Sequence, residues 1–144
     1  MKLEMPVVLY LDKALTVDNG EGLRARGASF QDERTLIMKA SVKKNYKETP
    51  GWVLEANGNF RELRPLDRRR QWAEPLSFLI QFVQSQYAVS EPRVISVGEL
   101  KKHLKGVRDK FSDAPVASDL RRFLDQHNDD EPVTREMLKA WPIG

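Results

Sequence analysis

The chain has 144 residues, 40% hydrophobic and 31% charged, with a formal net charge of +3 and no cysteine. That length suits one domain with a core that needs no cross-links, and the missing cysteines exclude disulfides and thiolate catalysis. The charge is uneven: residues 1–33 carry 4 Lys/Arg against 6 Asp/Glu, residues 34–110 carry 16 against 8, and residues 111–144 carry 4 against 7, so a basic middle lies between acidic ends, compatible with an anionic partner reaching one surface and equally with opposite charges that meet within the fold and cancel.

The opening Met1-Lys2-Leu3-Glu4-Met5-Pro6 holds charges, a proline and no small-residue cleavage site. The apolar run Val7-Val8-Leu9-Tyr10-Leu11 is too short for a signal h-region. The longest later run, Phe78-Leu79-Ile80-Gln81-Phe82-Val83, falls far short of the roughly 20 residues of a membrane span. A soluble cytoplasmic protein with no membrane partner is expected.

In chain order, Val7 to Leu11 is β-branched and aromatic and predicts a central strand. Asp18-Asn19-Gly20 is a turn signal, because Asn and Gly tolerate positive φ. Thr35 to Lys44 alternates, with Leu36, Met38, Ala40 and Val42 on one face and Thr35, Lys39, Ser41 and Lys43 on the other. This predicts a half-buried antiparallel strand with a cationic outer face. Trp52-Val53-Leu54-Glu55-Ala56, Asn57-Gly58 and Asn59-Phe60-Arg61-Glu62-Leu63 read as a hairpin. A two-residue Asn-Gly loop pairs Trp52 with Leu63 and Leu54 with Arg61. Neither face is then uniformly apolar, which suggests a sheet edge.

Near Pro65 the period changes. Pro75 suits a first helical turn, and Leu76, Leu79, Ile80, Val83 and Tyr87 form a stripe widened by Phe78 and Phe82. A buried helix over 75–88 follows, the spine against the sheet. After Pro92, Arg93-Val94-Ile95 adds a short strand. Ser96-Val97-Gly98-Glu99 is a capping box, and Val97, Leu100, Leu104, Val107 and Phe111 make a narrow apolar seam, with Lys101, Lys105 and Arg108 on another face. Asp113 and Pro115 open a helix through Val116, Leu120, Phe123 and Leu124. Thr134 caps a last helix bearing Met137, Leu138 and Trp141. The expected fold is α+β: an antiparallel meander of about four strands over residues 1–66, then three to four helices over 67–144, as a single domain.

The chemistry is sparse. His103 and His127 sit on different helices, with no serine elbow or His-x₃-His spacing beside them. Asp129-Asp130-Glu131 lacks the spaced pattern of a calcium loop. There is no P-loop and no Gly-x-Gly-x-x-Gly. Asp67 with Glu99-Leu100-Lys101 has the residue order of a nuclease metal site, but such a site needs a strand, and here Glu99 begins a helix. The helix pair 97–111 and 115–127 is a poor helix-turn-helix, since its second helix is charge-neutral. No catalytic residue, metal or cofactor is expected.

Three readings follow. The leading one is a non-enzymatic binding module that engages a protein partner or its own copies, with Trp72 and Trp141 as contact candidates. The alternative is a nucleic-acid-associated protein that uses the basic surface of residues 64–110. Its phosphate-contact candidates are Arg64, Arg68, Arg69, Arg70, Lys101, Lys105 and Arg108. An enzyme is the least supported, because no residue set converges.

Overall fold

A computed structural model describes residues 3–32, 34–43, 47–66, 70–73, 80–109 and 115–141. The architecture corrects the expected meander followed by helices. Among the described residues it is dominated by one antiparallel sheet of nine strands, curled into a half-barrel, with four short helices.

β1 (Val7–Leu11) lies between β2 (Ala14–Asp18) and β5 (Gly51–Leu54), so it is central, as its composition predicts. The β1–β2 hairpin closes through Asp12 and Lys13, both at positive φ (55° and 60°), the geometry of a type I′ turn. Asp18-Asn19-Gly20 does not turn into a strand. Asn19 instead caps α1 (Gly20–Ala25), its side chain accepting from the Gly22 amide at 2.8 Å, because Asn suits an N-cap as well as a turn. β3 (Ala28–Asp32) then pairs with β4 (Thr35–Lys43).

The expected 75–88 helix is the main error. Residues 80–89 form β8 (Ile80–Val89), paired along its length with β4; residues 74–79 lie outside the described set. On its other side β8 meets β6 (Asn59–Pro65) and β7 (Arg70–Ala73). Its stripe fits both periods: Val83 and Tyr87 are four apart but also belong to the alternating set that ends in buried Ser85, Tyr87 and Val89. Ser85 hid that alternation. It is a polar residue at an inward position, and its hydroxyl donates to Glu48 Oε1 at 2.7 Å, a partner 37 positions away that no local window contains. β9 (Arg93–Val94), the short strand expected after Pro92, pairs with β6. Among the described residues three strands therefore lie beyond residue 66.

The hairpin of residues 51–65 exists in a register one residue away from the expected one. Trp52 faces Glu62 and Leu54 faces Phe60. The loop holds three residues, not two. Glu55 N–H donates to Asn59 O and Gly58 N–H to Glu55 O, both at 2.9 Å, and Gly58 has φ +93°, a type I turn closed by a left-handed residue. A one-residue shift moves every side chain to the other face. Trp52, Leu54 and Phe60 now face one way, while Val53 and Leu63 face the other with Glu55 and Arg61. The strands are central, since β5 lies between β1 and β6, and β6 between β5 and β8.

Both faces of the sheet are packed. Inside the curl, Val7, Leu9, Leu11, Leu23, Leu36, Val53, Leu63, Tyr87 and Val89 form one cluster. It joins residues from opposite ends of the strand order, as only a curled sheet can do. Burial, then the charges of Glu48 and Asp12, pushes the Tyr87 phenol up. On the outer face, Val8, Leu15, Trp52, Leu54 and Phe60 pack under α2 (Val97–Leu104), α3 (Val116–Leu124) and α4 (Arg135–Ala140).

Ser96 caps α2, accepting from the Glu99 amide at 3.1 Å. The reciprocal half of the capping box is not made, because the Glu99 carboxylate pairs with Arg93 at 2.5 Å. The seam Val97, Leu100, Leu104 and Val107 is buried, but the helix stops at Leu104, before the expected 111, and Gly106 at φ +81° reverses the chain. Thr134 caps α4 as predicted.

The start of α3 is held from a distance. The Asp109 carboxylate accepts from the Ala117 amide (2.7 Å), the Ser118 amide (3.3 Å) and the Ser118 hydroxyl (2.5 Å). Burial raises this carboxyl, but those bonds and the Arg121 charge outweigh it and hold the group below the usual carboxylate range. A depressed native pKa contributes stability above the unfolded value that is lost as pH falls through the native one. Asp109→Ala is therefore expected to cost about 1–2 kcal/mol at pH 7. That difference should shrink below about pH 4, as urea titrations at the two pH values will show.

Candidate functional site

Strand register builds a cleft where the helical roof ends. Tyr10, Trp52 and Glu62 form one cross-strand row on the outer face. The next row on one side, Val8, Leu54 and Phe60, is buried beneath the helices. On the other side stands Arg64, exposed and paired in register with Ala88 of β8. His103, in the last turn of α2, sits edge-on over Phe60 (4.9 Å between ring centroids) and Trp52 (6.3 Å). The cleft below this eave measures about 480 Å³ and is lined by Tyr10, Pro50, Trp52, Glu62, Arg64 and His103.

The polar groups are ordered. His103 Nδ1 lies 3.0 Å from the Glu99 carbonyl. A carbonyl only accepts, so Nδ1 carries the proton and Nε2 faces Glu62, 3.8 Å from its Oε1. Arg93 stacks over Phe60 at 5.1 Å and reaches Glu62 (3.5 Å) and Glu99 (2.5 Å). Its hydrogen bond holds the Glu99 carboxyl below the usual carboxylate range. Both carboxylates beside the cleft thus have cationic partners. Arg64, on the opposite wall, has no carboxylate within ion-pair distance among the described residues. Among those residues no group of three or more acidic or histidine side chains is placed to hold a metal.

Beyond Arg64 the outer face has no helix over it among the described residues. Successive rows place Arg64, Ala88 and Thr35 together, then Gln86, Ile37 and Ser29, then Gln84 and Lys39. A second groove of about 410 Å³ crosses this area, lined by Arg24, Ser29, Gln31, Ile37, Lys39 and Gln84. Among the described residues its lining carries two cations and no carboxylate.

The residues singled out from sequence separate. Arg64 lines the first cleft. β7 carries Arg70 and Trp72, with Arg70 opposite Gln84 in register, while Arg68 and Arg69 lie outside the described residues. Lys101 is tied to Asp129 (2.9 Å) and Asp125 (3.3 Å), and Asp129, then Asp125, raises its pKa. It is an internal partner of the acidic loop. Lys105 and Arg108 are exposed, past the end of α2. Trp141, expected as a contact residue, is only 5% exposed and packs near Phe123; its place at the end of the apolar stripe of α4 turns it into the core.

Tyr10, Glu62 and Arg93 had no role in the sequence reading, and His103 was passed over because no serine elbow or metal spacing accompanies it. It lies one residue before Leu104, on the flank of the buried seam, and that position was the available signal. Tyr10 and Glu62 become neighbours only through the β1–β5–β6 register. Compared with known proteins, the chain matches no family model, no curated protein and no solved structure. No helix among the described residues is long and apolar enough to cross a membrane.

Proposed function

We propose that this chain is a non-enzymatic cytoplasmic binding module that engages a protein partner through the outer sheet face. The observation that carries the reading is the partial roof. The helices cover the β2–β1–β5–β6 half of the face, while the β8–β4–β3 half presents amide, hydroxyl, cationic and half-buried apolar side chains in register. A rigid sheet that holds mixed polar and apolar groups at fixed spacing suits recognition of a folded or extended protein surface.

The test is site-specific photocrosslinking in the native host. A crosslinker at Lys39 should give one discrete protein adduct, and the same group at Arg122, exposed on α3, should not. Size measurement in solution separates a foreign partner from a second copy. The alternative is nucleic-acid association through the cations of residues 64–110, and it is favoured by Arg64 standing on the same outer face as a groove lined by Arg24 and Lys39 with no carboxylate among its described lining residues. It predicts binding to duplex or single strands at low salt, with log affinity falling linearly against log salt. Such binding without a position-dependent protein adduct would replace the first reading with the second.

A further inference from the structure

The cleft under His103 sets one cation apart from its carboxylates. Its carboxylates are already engaged: Glu62 and Glu99 share Arg93, at 3.5 Å and 2.5 Å. Its remaining cation, Arg64, stands exposed on the wall. Beside it the half-buried Tyr10 ring, stacked on Trp52 with centroids 6.0 Å apart, and Pro50 supply an apolar side. His103, held through Nδ1, closes the cleft from above. The floor continues through Arg64 into the open rows of β8 and β4, so a chain can pass through the cleft without ending there.

We propose that this cleft takes the side-chain carboxylate of an internal, acidic segment of a protein partner, with Arg64 as the cation that receives it and Tyr10 as the wall beside it. The proposal rests on the protein-binding reading and names the chemistry that one part of the surface selects. A guanidinium meets a carboxylate with paired donors, and a partly enclosed site with an apolar side strengthens the contact.

The probe is an acetylated, amidated hexapeptide of alternating Glu and Tyr, so that only side chains supply carboxylates. Its Gln–Tyr and Lys–Tyr analogues and inorganic phosphate serve as comparisons. Titration is followed by NMR on the full chain. The Glu peptide should shift the signals of Tyr10, the Trp52 indole N–H, Arg64 and His103, and bind about tenfold or more tightly than the Gln peptide, the worth of a charged hydrogen bond. Arg64→Glu should remove that preference and turn it toward the Lys peptide. Arg64→Gln should remove it without reversal, so a poorly folded charge-swap variant does not end the test. Equal binding of the Glu and Gln peptides, shifts confined to other surfaces, or tighter binding of phosphate than of the Glu peptide overturns the proposal. Failure of the underlying reading is separate: it shows as no position-dependent adduct at Lys39, whatever the peptides do.

Discussion

Gly58→Val is expected to lower stability by about 2–4 kcal/mol, read as a fall in the urea midpoint at unchanged slope. Two independent causes add. Gly58 has φ +93°, a region that a β-branched residue resists. A Cβ built there would also lie 2.7 Å from the Val133 carbonyl oxygen and 3.3 Å from the Thr134 Cα. Those are backbone atoms entering α4, so neither can swing aside. Gly20→Ala is the control. Its new methyl meets nothing within 4 Å, and it should leave the midpoint nearly unchanged. An unchanged midpoint for Gly58→Val would mean that the hairpin loop does not seat against α4.

Arg61→Met is expected to cost about 3–5 kcal/mol. Arg61 Nε lies 3.2 Å from Glu55 Oε2, and the two residues are 8% and 2% exposed. Glu55 also accepts from the Glu4 amide at 3.0 Å, which fixes the N-terminal segment to the hairpin. Removing the guanidinium leaves a buried carboxylate with that amide and little else. Adding Glu55→Gln should restore much of the loss, because a neutral amide can keep the bond to Glu4 without a buried charge. Equilibrium unfolding of the single and double variants decides it. Additive losses would show that the pair is solvated and carries no special coupling.

What could be read from the sequence was local. Thr134 and Ser96 mark their helices because a cap acts within three residues. Val7 to Leu11 marks a central strand because every side chain there is apolar and both faces are buried. The Thr35–Lys43 strand is legible from its alternation. The hairpin was found, but its register depended on whether Gly58 was the second or third loop residue, and both satisfy an Asn-Gly signal. β8 was misread because a short apolar run fits helix and strand alike; its inward Ser85 is satisfied by Glu48, far away in sequence. Part of the cationic surface was misjudged for a similar reason. Lys101 looks free on a helical wheel, and its partners Asp125 and Asp129 arrive from another element. The cleft was not legible at all, since Tyr10, Glu62 and His103 meet only after three strands and a helix are in place.

The position of β8 has a consequence for synthesis. Among the described residues it is the one strand that joins the β2–β1–β5–β6 group to the β4–β3 hairpin. While the chain emerges from the ribosome, everything before residue 80 can form two sheet fragments, linked through α1 but not hydrogen-bonded to each other. The half-barrel closes only when a segment more than halfway along the chain inserts between two exposed edges. Closure over such sequence separations is slow, and until it happens the inner faces of both fragments and the facing edges of β4 and β6 stand open to other chains. A ribosome stalled with residues 80–89 still in its tunnel should therefore carry a protease-sensitive, aggregation-prone product, and release of that segment should lower its sensitivity by closing the half-barrel, leaving the face under α2, α3 and α4 to be covered last.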